Sequence, residues 1–263
     1  MKWMICCAAA VFLGAWNAHA PGGGPTAAAP GSRTAAPSGP HASGAAASGR
    51  APSGTTAIEG CTPEQKRLLL DPTNPEWRRR APDVYRARFE TTKGVFVVEA
   101  VRAYAPIGAD RFYNLVRLCY YDDARFHRVS RGYIAQFGLH GDPAVNRAWM
   151  HQQIPDDPRH GSNVRGTLAF AMTPEPNTRN TQVYINLGDN TRNDREPFAI
   201  FGRVVEGMDV LDRLYAGYGE RSGGGLRQGR QGPIIEGGNA YLDREFPLLD
   251  RIIRATIVDV PSQ

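Results

Sequence analysis

Four segments decide the fold of this chain, and they follow one another between residues 126 and 210. They read FHRVSRGYIAQFG at 126–138, GTLAFA at 166–171, NTRNTQVYIN at 177–186 and FGRVVEGMDV at 201–210. Each holds a short run of aliphatic, β-branched and aromatic residues bounded by Gly, Pro or Asn, a pattern typical of short strands. They predict strands at 133–137, 167–172, 182–187 and 198–205.

The segments on either side predict a hairpin and two helices. Residues 84–90 and 95–101 are rich in strand formers and flank Thr92-Lys93-Gly94, which predicts a β-hairpin. A helix is predicted from Pro106, which is followed by apolar residues at helical spacing. A second helix is predicted from Met208 to Gly217. The Gly-rich stretch 217–238 is interpreted as a loop and 251–260 as a last strand. Short strands without β/α alternation favour a mostly β protein, a closed barrel capped by two helices.

The first 57 residues differ in composition from the rest. Lys2, an apolar stretch and Ala18-His19-Ala20 are typical of a signal peptide at 1–20. Pro21 hinders cleavage at that site, so a cleaved signal and a short membrane tether both stay open. In 21–57 every residue except Arg33, His41 and Arg50 is Ala, Pro, Gly, Ser or Thr. Such a segment buries too little apolar surface to fold, so we predict a disordered linker rather than a Pro-rich binding motif.

The remaining residues form an N-terminal extension at 58–82 and a folded domain at 83–260. Of the 31 basic and 26 acidic residues, three basic ones and no acidic one precede residue 58. The folded part is therefore nearly neutral, which argues against nucleic-acid binding. No apolar run is long enough for a comfortable membrane span. We expect no cofactor and no metal, since nucleotide-binding, hydrolase and zinc motifs are all missing.

Cysteine use leaves one question open. Cys61 and Cys119 are the only thiols after residue 57. In an exported protein they are candidates for a disulfide, but their separation in space does not follow from the sequence.

The four segments, in this order, resemble the cyclophilin family of peptidyl-prolyl cis-trans isomerases. The resemblance covers about residues 84 to 259, and the segments 71–77 and 238–250 resemble an exported bacterial subgroup. It implies a closed eight-stranded antiparallel β-barrel and an isomerase that acts on X–Pro bonds during protein folding. The implied partners are proline-containing segments of unfolded or partly folded proteins, bound by a monomer, most plausibly in the periplasm.

The resemblance also implies the roles of individual residues. Arg128 is the catalytic residue and Gln136 holds it. The other implied substrate-binding positions are Tyr133, Ile134, Ala171, Met172, Gln182, Tyr184 and Phe198. Phe198 stands near the position where well-known members carry a histidine, and Asn193 is polar where an apolar residue is expected.

The chemistry of X–Pro rotation fits these residue types. The barrier of roughly 18–20 kcal/mol arises from the partial double bond, so no nucleophile, metal or redox group is needed. An apolar pocket and a fixed donor to the prolyl nitrogen suffice, and an arginine is a permanent donor. Taken alone, Arg128 could be a surface residue and the tyrosines could be core. The alternative function is a module or holdase that binds proline segments without turnover.

Overall fold

The structure is a computed structural model that describes residues 60–223 and 231–258. The predicted signal peptide at 1–20 and linker at 21–57 lie outside these residues. The described part is built on one antiparallel sheet of eight strands in the order β3-β4-β6-β5-β7-β2-β1-β8. The strands are β1 Val84–Thr91, β2 Gly94–Val101, β3 Arg128–Ser130, β4 Ile134–Phe137, β5 Thr167–Phe170, β6 Val183–Asn186, β7 Ile200–Glu206 and β8 Ile252–Val258.

The prediction of a closed barrel is wrong, because the sheet is an open half-barrel. Strands β3 and β8 stand at its two ends, and no ladder joins them among the described residues. The segment that precedes β3 does contact the other end: Arg125 and Arg251 form an isolated bridge, and the backbone N–H of Ile252 in β8 donates to the carbonyl of Ala124. Strand β3 has only three residues, and Gly219, rather than β8, bridges its middle residue Val129.

The described residues also contain more helices than the two that were predicted. The described residues hold α1 Pro63–Leu69, α2 Pro106–Arg117, α3 Pro143–Trp149, α4 Met208–Asp212 and α5 Gly232–Glu245. Helix α5 begins inside the stretch interpreted as a loop, so that interpretation is wrong from residue 232 onward. Ile234 and Leu242 of α5 are buried in a cluster with Leu139, and this packing outweighs the low helix propensity of glycine.

Glycine at 238 has a structural reason. Gly238 lies inside α5 with a φ of 54°, and a Cβ there would stand 2.1 Å from the carbonyl oxygen of Gly141. The helix is kinked at this residue, so its two halves can follow the surface of the domain. Any other side chain would force the two segments apart.

The two faces of the sheet differ in what they contact. Odd-numbered residues of β3, β4 and β6, including Val129, Phe137 and Ile185, point into the main hydrophobic core. Neighbouring residues in a strand point to opposite faces. The even-numbered residues of the same strands therefore face away from that core, and they include Arg128 and Gln136.

The N-terminal extension packs against this core. Trp77 lies edge-on to Trp149 of α3, with the ring centroids 4.6 Å apart. The indole N–H of Trp149 donates to the carbonyl of Leu69 at 2.9 Å. Residues 60–82 thus share the core of the sheet. No helix within residues 60–223 and 231–258 is both long and apolar enough to cross a membrane.

Both cysteines are free thiols, and they are neighbours. Cys61 precedes α1, Cys119 follows α2, and the two side chains are hydrogen-bonded to each other. The bond from Cys119 lowers the pKa of Cys61, which makes Cys61 the better nucleophile of the two.

We expect oxidised glutathione to convert the two thiols to a disulfide, releasing two molecules of glutathione. The Cys61 thiolate attacks the glutathione disulfide, and Cys119 then resolves the mixed disulfide. Closing so long a loop restricts the unfolded chain, by roughly 3–4 kcal/mol in the chain-entropy description. Thermal unfolding of the oxidised protein should therefore occur several degrees higher.

The matched control is Cys61→Ser, whose unfolding temperature should not rise under the same oxidation. Thiol counting and peptide mapping identify the bond. Free thiols at Cys61 and Cys119 that persist after prolonged oxidation would contradict the prediction.

Candidate functional site

The candidate site is a row of side chains that crosses five strands on the face opposite the main core. Arg128 pairs with Gln136 across β3 and β4, and Gln136 pairs with Tyr184 across β4 and β6. Tyr184 then pairs with Ala169, and Ala169 with Ile200. Directly opposed residues of antiparallel strands share a face. The register of the sheet therefore brings a cation, an amide and an apolar surface into one line.

Hydrogen bonds hold Arg128 and Gln136 together. Arg128 Nη1 donates to Gln136 Oε1 at 3.1 Å, and Gln136 Nε2 donates to Gln182 Oε1 at 2.9 Å. The amide of Gln182 is bonded in turn to that of Gln231, at the start of α5. The chain of amides fixes the orientation of the Gln136 amide, with its oxygen toward the guanidinium and its nitrogen toward Gln182.

A carboxylate completes the surroundings of Arg128. Glu220 Oε1 accepts from Arg128 Nε at 2.8 Å and lies 2.7 Å from Nη2. The guanidinium carbon of Arg128 also stands 5.8 Å from the centre of the Tyr133 ring, a cation–π distance. Arg192 lies 4.7 Å from the same ring. Arg128 is therefore held on several sides while its side chain keeps 17% exposure.

Next to Arg128, the row continues into an apolar cluster that is separate from the main core. Its buried members are Ile134, Ala169, Tyr184 and Ile200, with Tyr133, Ala171 and Phe198 partly buried around them. The rings of Tyr184 and Phe198 meet edge-to-face, with centroids 5.5 Å apart. Phe198 thus adds an aromatic wall where the family resemblance led us to expect a histidine.

The hydroxyl of Tyr184 has a partner. It donates to Asn163 Oδ1 at 2.8 Å, and Asn163 Nδ2 donates to Asp194 Oδ1 at 2.8 Å. Burial raises the pKa of Tyr184 well above its ordinary value, so the phenol stays protonated. The hydroxyl is directed into this network, which leaves the ring as the surface of the cluster.

The remaining predicted residues lie at the ends of β5 and β6. The backbone N–H of Ala171 donates to the carbonyl of Gln182 at 2.9 Å, which places these two residues side by side. Met172 follows directly and is half-buried. Direct contacts therefore bring eight of the nine predicted site residues together, and Met172 is the chain neighbour of one of them, Ala171.

Other residues of the site were not predicted, namely Asn163, Asp194, Arg192, Glu220 and Gln231. They lie in connections between strands, where no periodic pattern marks them. Arg192 and Asp194 belong to the polar stretch that departs from the family pattern, and that departure was the one available signal. Glu220 lies 92 residues from Arg128, so local sequence gives no sign of their contact.

Within residues 60–223 and 231–258 no group of three or more His, Cys, Asp or Glu side chains could hold a metal ion. What the arrangement supplies is a fixed cationic donor beside an apolar surface. Such a surface can hold a small ring, and the donor can bond an atom next to that ring.

His127 lies directly beside Arg128 and is fully buried. Burial, together with the charge of Arg128, lowers the pKa of His127 to about 4. The imidazole is therefore neutral near pH 7. Gly223 lies against its ring, where a Cβ would stand 2.4 Å from Cδ2.

Comparison with known proteins places this chain among isomerases. A model of the family described as cyclophilin type peptidyl-prolyl cis-trans isomerase/CLD matches residues 86–228. A peptidyl-prolyl cis-trans isomerase of Acinetobacter baylyi is 34% identical over 131 residues, which are 48% of this chain and 69% of that protein. Peptidyl-prolyl cis-trans isomerase B of Escherichia coli is 31% identical over 143 residues, 51% of this chain and 87% of that protein.

A solved structure shows the same fold. The crystal structure of a cyclophilin type isomerase from Cryptosporidium parvum superimposes with a TM-score of 0.50 at 19% identity, covering 68% of this chain and 99% of the other. At that identity the likeness concerns the fold.

We expect the burial of neutral His127 to make the protein less stable in acid. Its pKa is 6.5 in a solvated chain and about 4 in the folded protein. Between these values the unfolded chain binds a proton that the folded chain does not. The free energy of unfolding should thus fall as the pH drops from about 6.5 to 4, by up to about 3 kcal/mol from this residue.

Urea unfolding of the wild type and of His127→Gln at about pH 7 and pH 4.5 measures this contribution. The variant should lose less stability on acidification than the wild type. Equal losses in the two proteins would contradict the assignment.

Proposed function

This chain belongs to the cyclophilin-type peptidyl-prolyl cis-trans isomerase family, and we propose that it accelerates X–Pro rotation through the guanidinium of Arg128. The observation that carries this assignment is the placement of Arg128, bonded to Gln136, at the end of a row that continues into the apolar cluster. A proline ring resting on that cluster would bring its nitrogen toward Arg128.

The barrier to rotation defines what the residues have to do. In the ground state the prolyl nitrogen shares its lone pair with the carbonyl, and this resonance opposes rotation. As the bond twists, the lone pair returns to the nitrogen, which then becomes a hydrogen-bond acceptor. A donor at that position stabilises the twisted state more than the planar one, and the difference lowers the barrier.

Arg128 suits this donor role because its charge is permanent and its position is fixed. Its guanidinium does not deprotonate in the physiological range. Gln136 is bonded to it before the substrate arrives, so little reorganisation accompanies the reaction. We assign Arg128 as the catalytic residue and Gln136 as the residue that orients it.

The apolar cluster supplies the proline pocket. Ile134 and Tyr184 form its floor, and Tyr133 and Phe198 stand at its sides. Gln182, Ala171 and Met172 lie at the neighbouring strand ends, where an extended peptide could bond to the backbone and to the Gln182 amide. Proline-containing segments of unfolded or partly folded proteins fit this arrangement.

We also propose where the protein works. The signal-like residues 1–20 support an exported, periplasmic isomerase of the bacterial subgroup. Cleavage of the signal would release the domain, and an uncleaved signal would tether it through the linker 21–57. We propose that it acts as a monomer, since the nine candidate site residues all belong to one chain. Fractionation of cells that express the full chain, followed by immunodetection, tests the location.

Replacing Arg128 by Ala should lower kcat/KM for an X–Pro peptide at least about tenfold, which corresponds to about 1.4 kcal/mol of transition-state stabilisation. The melting temperature should change little, since the side chain lies outside the main core. A protease-coupled proline assay measures the rate.

Arg131→Ala is the matched control, because Arg131 lies three residues away and is exposed. It should keep the wild-type rate. If Arg128→Ala isomerises as fast as the wild type, the proposed mechanism is wrong. If the wild type and Arg128→Ala both bind the peptide without turnover, the chain is a binding module rather than a catalyst.

The ring of Tyr184, rather than its hydroxyl, should matter for turnover. Tyr184→Phe keeps the wall of the pocket and removes one buried hydrogen bond, so it should cost about 1 kcal/mol of stability and little activity. Tyr184→Ala removes the aromatic surface and should lower kcat/KM strongly. Loss of turnover in Tyr184→Phe with intact peptide binding would instead make the hydroxyl a catalytic donor.

A further inference from the structure

Glu220 occupies a place that extends the functional row beyond the sheet. It lies after α4, and its neighbour Gly219 forms an isolated antiparallel bridge with Val129 of β3. In an antiparallel bridge, the residue after one partner faces the residue before the other. Glu220 is therefore set opposite Arg128 by the backbone, just as Gln136 is set opposite it from the other side.

Further contacts tie this segment to β3. The hydroxyl of Ser222 donates to the backbone carbonyl of His127 at 2.9 Å, and both residues are buried. Gly223 packs directly against the same histidine. The position of Glu220 thus rests on contacts on both sides of it as well as on its ion pair.

The geometry of the ion pair decides what it can do. One oxygen of Glu220 accepts from Nε of Arg128 at 2.8 Å and lies 2.7 Å from Nη2, so the carboxylate contacts the side of the guanidinium. Gln136 accepts from one N–H of Nη1. An arginine carries five N–H groups, so these contacts leave at least one N–H on Nη1 and one on Nη2. The terminal nitrogens can therefore still donate to a substrate.

We propose that Glu220 is a positioning residue for catalysis: it fixes the plane of Arg128 from the side, so that the remaining N–H groups of the terminal nitrogens point at the reacting bond. This proposal rests on the proposed role of Arg128. A long side chain with several rotatable bonds loses much entropy on being fixed. Glu220 removes that freedom before the substrate binds. Arg128 is then already aligned to donate to the twisted state, which is therefore stabilised more than the planar one.

A competing role for Glu220 would leave a different signature. A carboxylate that blocked Arg128 would have to leave before the peptide bound, and its removal would raise the rate. A carboxylate that aligns Arg128 lowers the rate when it is removed. The direction in which the rate changes when the carboxylate is removed therefore distinguishes the blocking role from the aligning role.

The test compares Glu220→Ala and Glu220→Gln with the wild type on one X–Pro peptide. We expect Glu220→Ala to lower kcat about tenfold with little change in KM, because alignment acts on the transition state. Glu220→Gln keeps an acceptor oxygen and should recover part of the loss. Glu206→Ala, an exposed glutamate at the end of β7, is the matched control and should behave as the wild type.

A second measurement follows Arg128 itself. In ¹⁵N-labelled protein, the Nε–H resonance of Arg128, identified by its loss in Arg128→Lys, should be protected from solvent exchange in the wild type. Protection should fall in Glu220→Ala and return partly in Glu220→Gln. Circular dichroism confirms that each variant is folded.

The outcomes are distinct. Wild-type or faster turnover in Glu220→Ala overturns the positioning role, even if Arg128→Ala is inactive and the proposed function stands. A lower kcat with unchanged Nε–H protection also overturns it, because the loss would not act through Arg128. Wild-type turnover in Arg128→Ala would contradict the proposed role of Arg128 itself, on which the role of Glu220 rests.

Discussion

The antiparallel register between β3 and β4 is the constraint on which the site depends. It sets Arg128 directly opposite Gln136, and the next ladders continue the line to Tyr184, Ala169 and Ile200. A slip of one residue would turn every side chain of a strand to the other face. It would bury the guanidinium in the aromatic core and expose that core. The large penalty for such burial makes the register unique.

A buried ion pair at the start of α2 also helps to hold this part of the sheet in place. Asp157 accepts from the backbone N–H groups of Ile107 and Gly108 at 2.9 and 2.8 Å, and from Arg179 Nη1 at 3.0 Å. Both charged side chains are almost fully enclosed. Arg179 shortly precedes β6, so this pair links the helix to the strand that carries Tyr184. A carboxylate at a helix N-terminus is favoured by the helix dipole, which offsets part of its desolvation.

The sequence predicted most of the site because its information is local there. Strands at 133–137, 167–172 and 182–187 were placed within two residues of β4, β5 and β6, since alternation along a strand can be read from the residues themselves. The nine predicted site residues were implied by the resemblance of these strands and the segments beside them to a known family. Closure of the barrel could not be predicted, because it depends on whether distant edges pair. Helix α5 was missed because packing of Ile234 and Leu242 outweighs a glycine-rich composition. Glu220 was missed because a backbone bridge to Val129, far away along the chain, creates its role.

The open sheet has a consequence for a protein that meets unfolded chains. Unpaired strand edges are templates for the addition of further strands, and hence for aggregation. Here segments of the chain itself cover both ends of the sheet. Residues 219–223 lie along β3. Beside β8, the backbone N–H of Ile252 donates to Ala124 and that of Ala255 to the carboxylate of Asp122. A proline-containing peptide therefore meets edges whose bonding groups are partly taken. The addition of such a peptide to the sheet as a further strand is disfavoured.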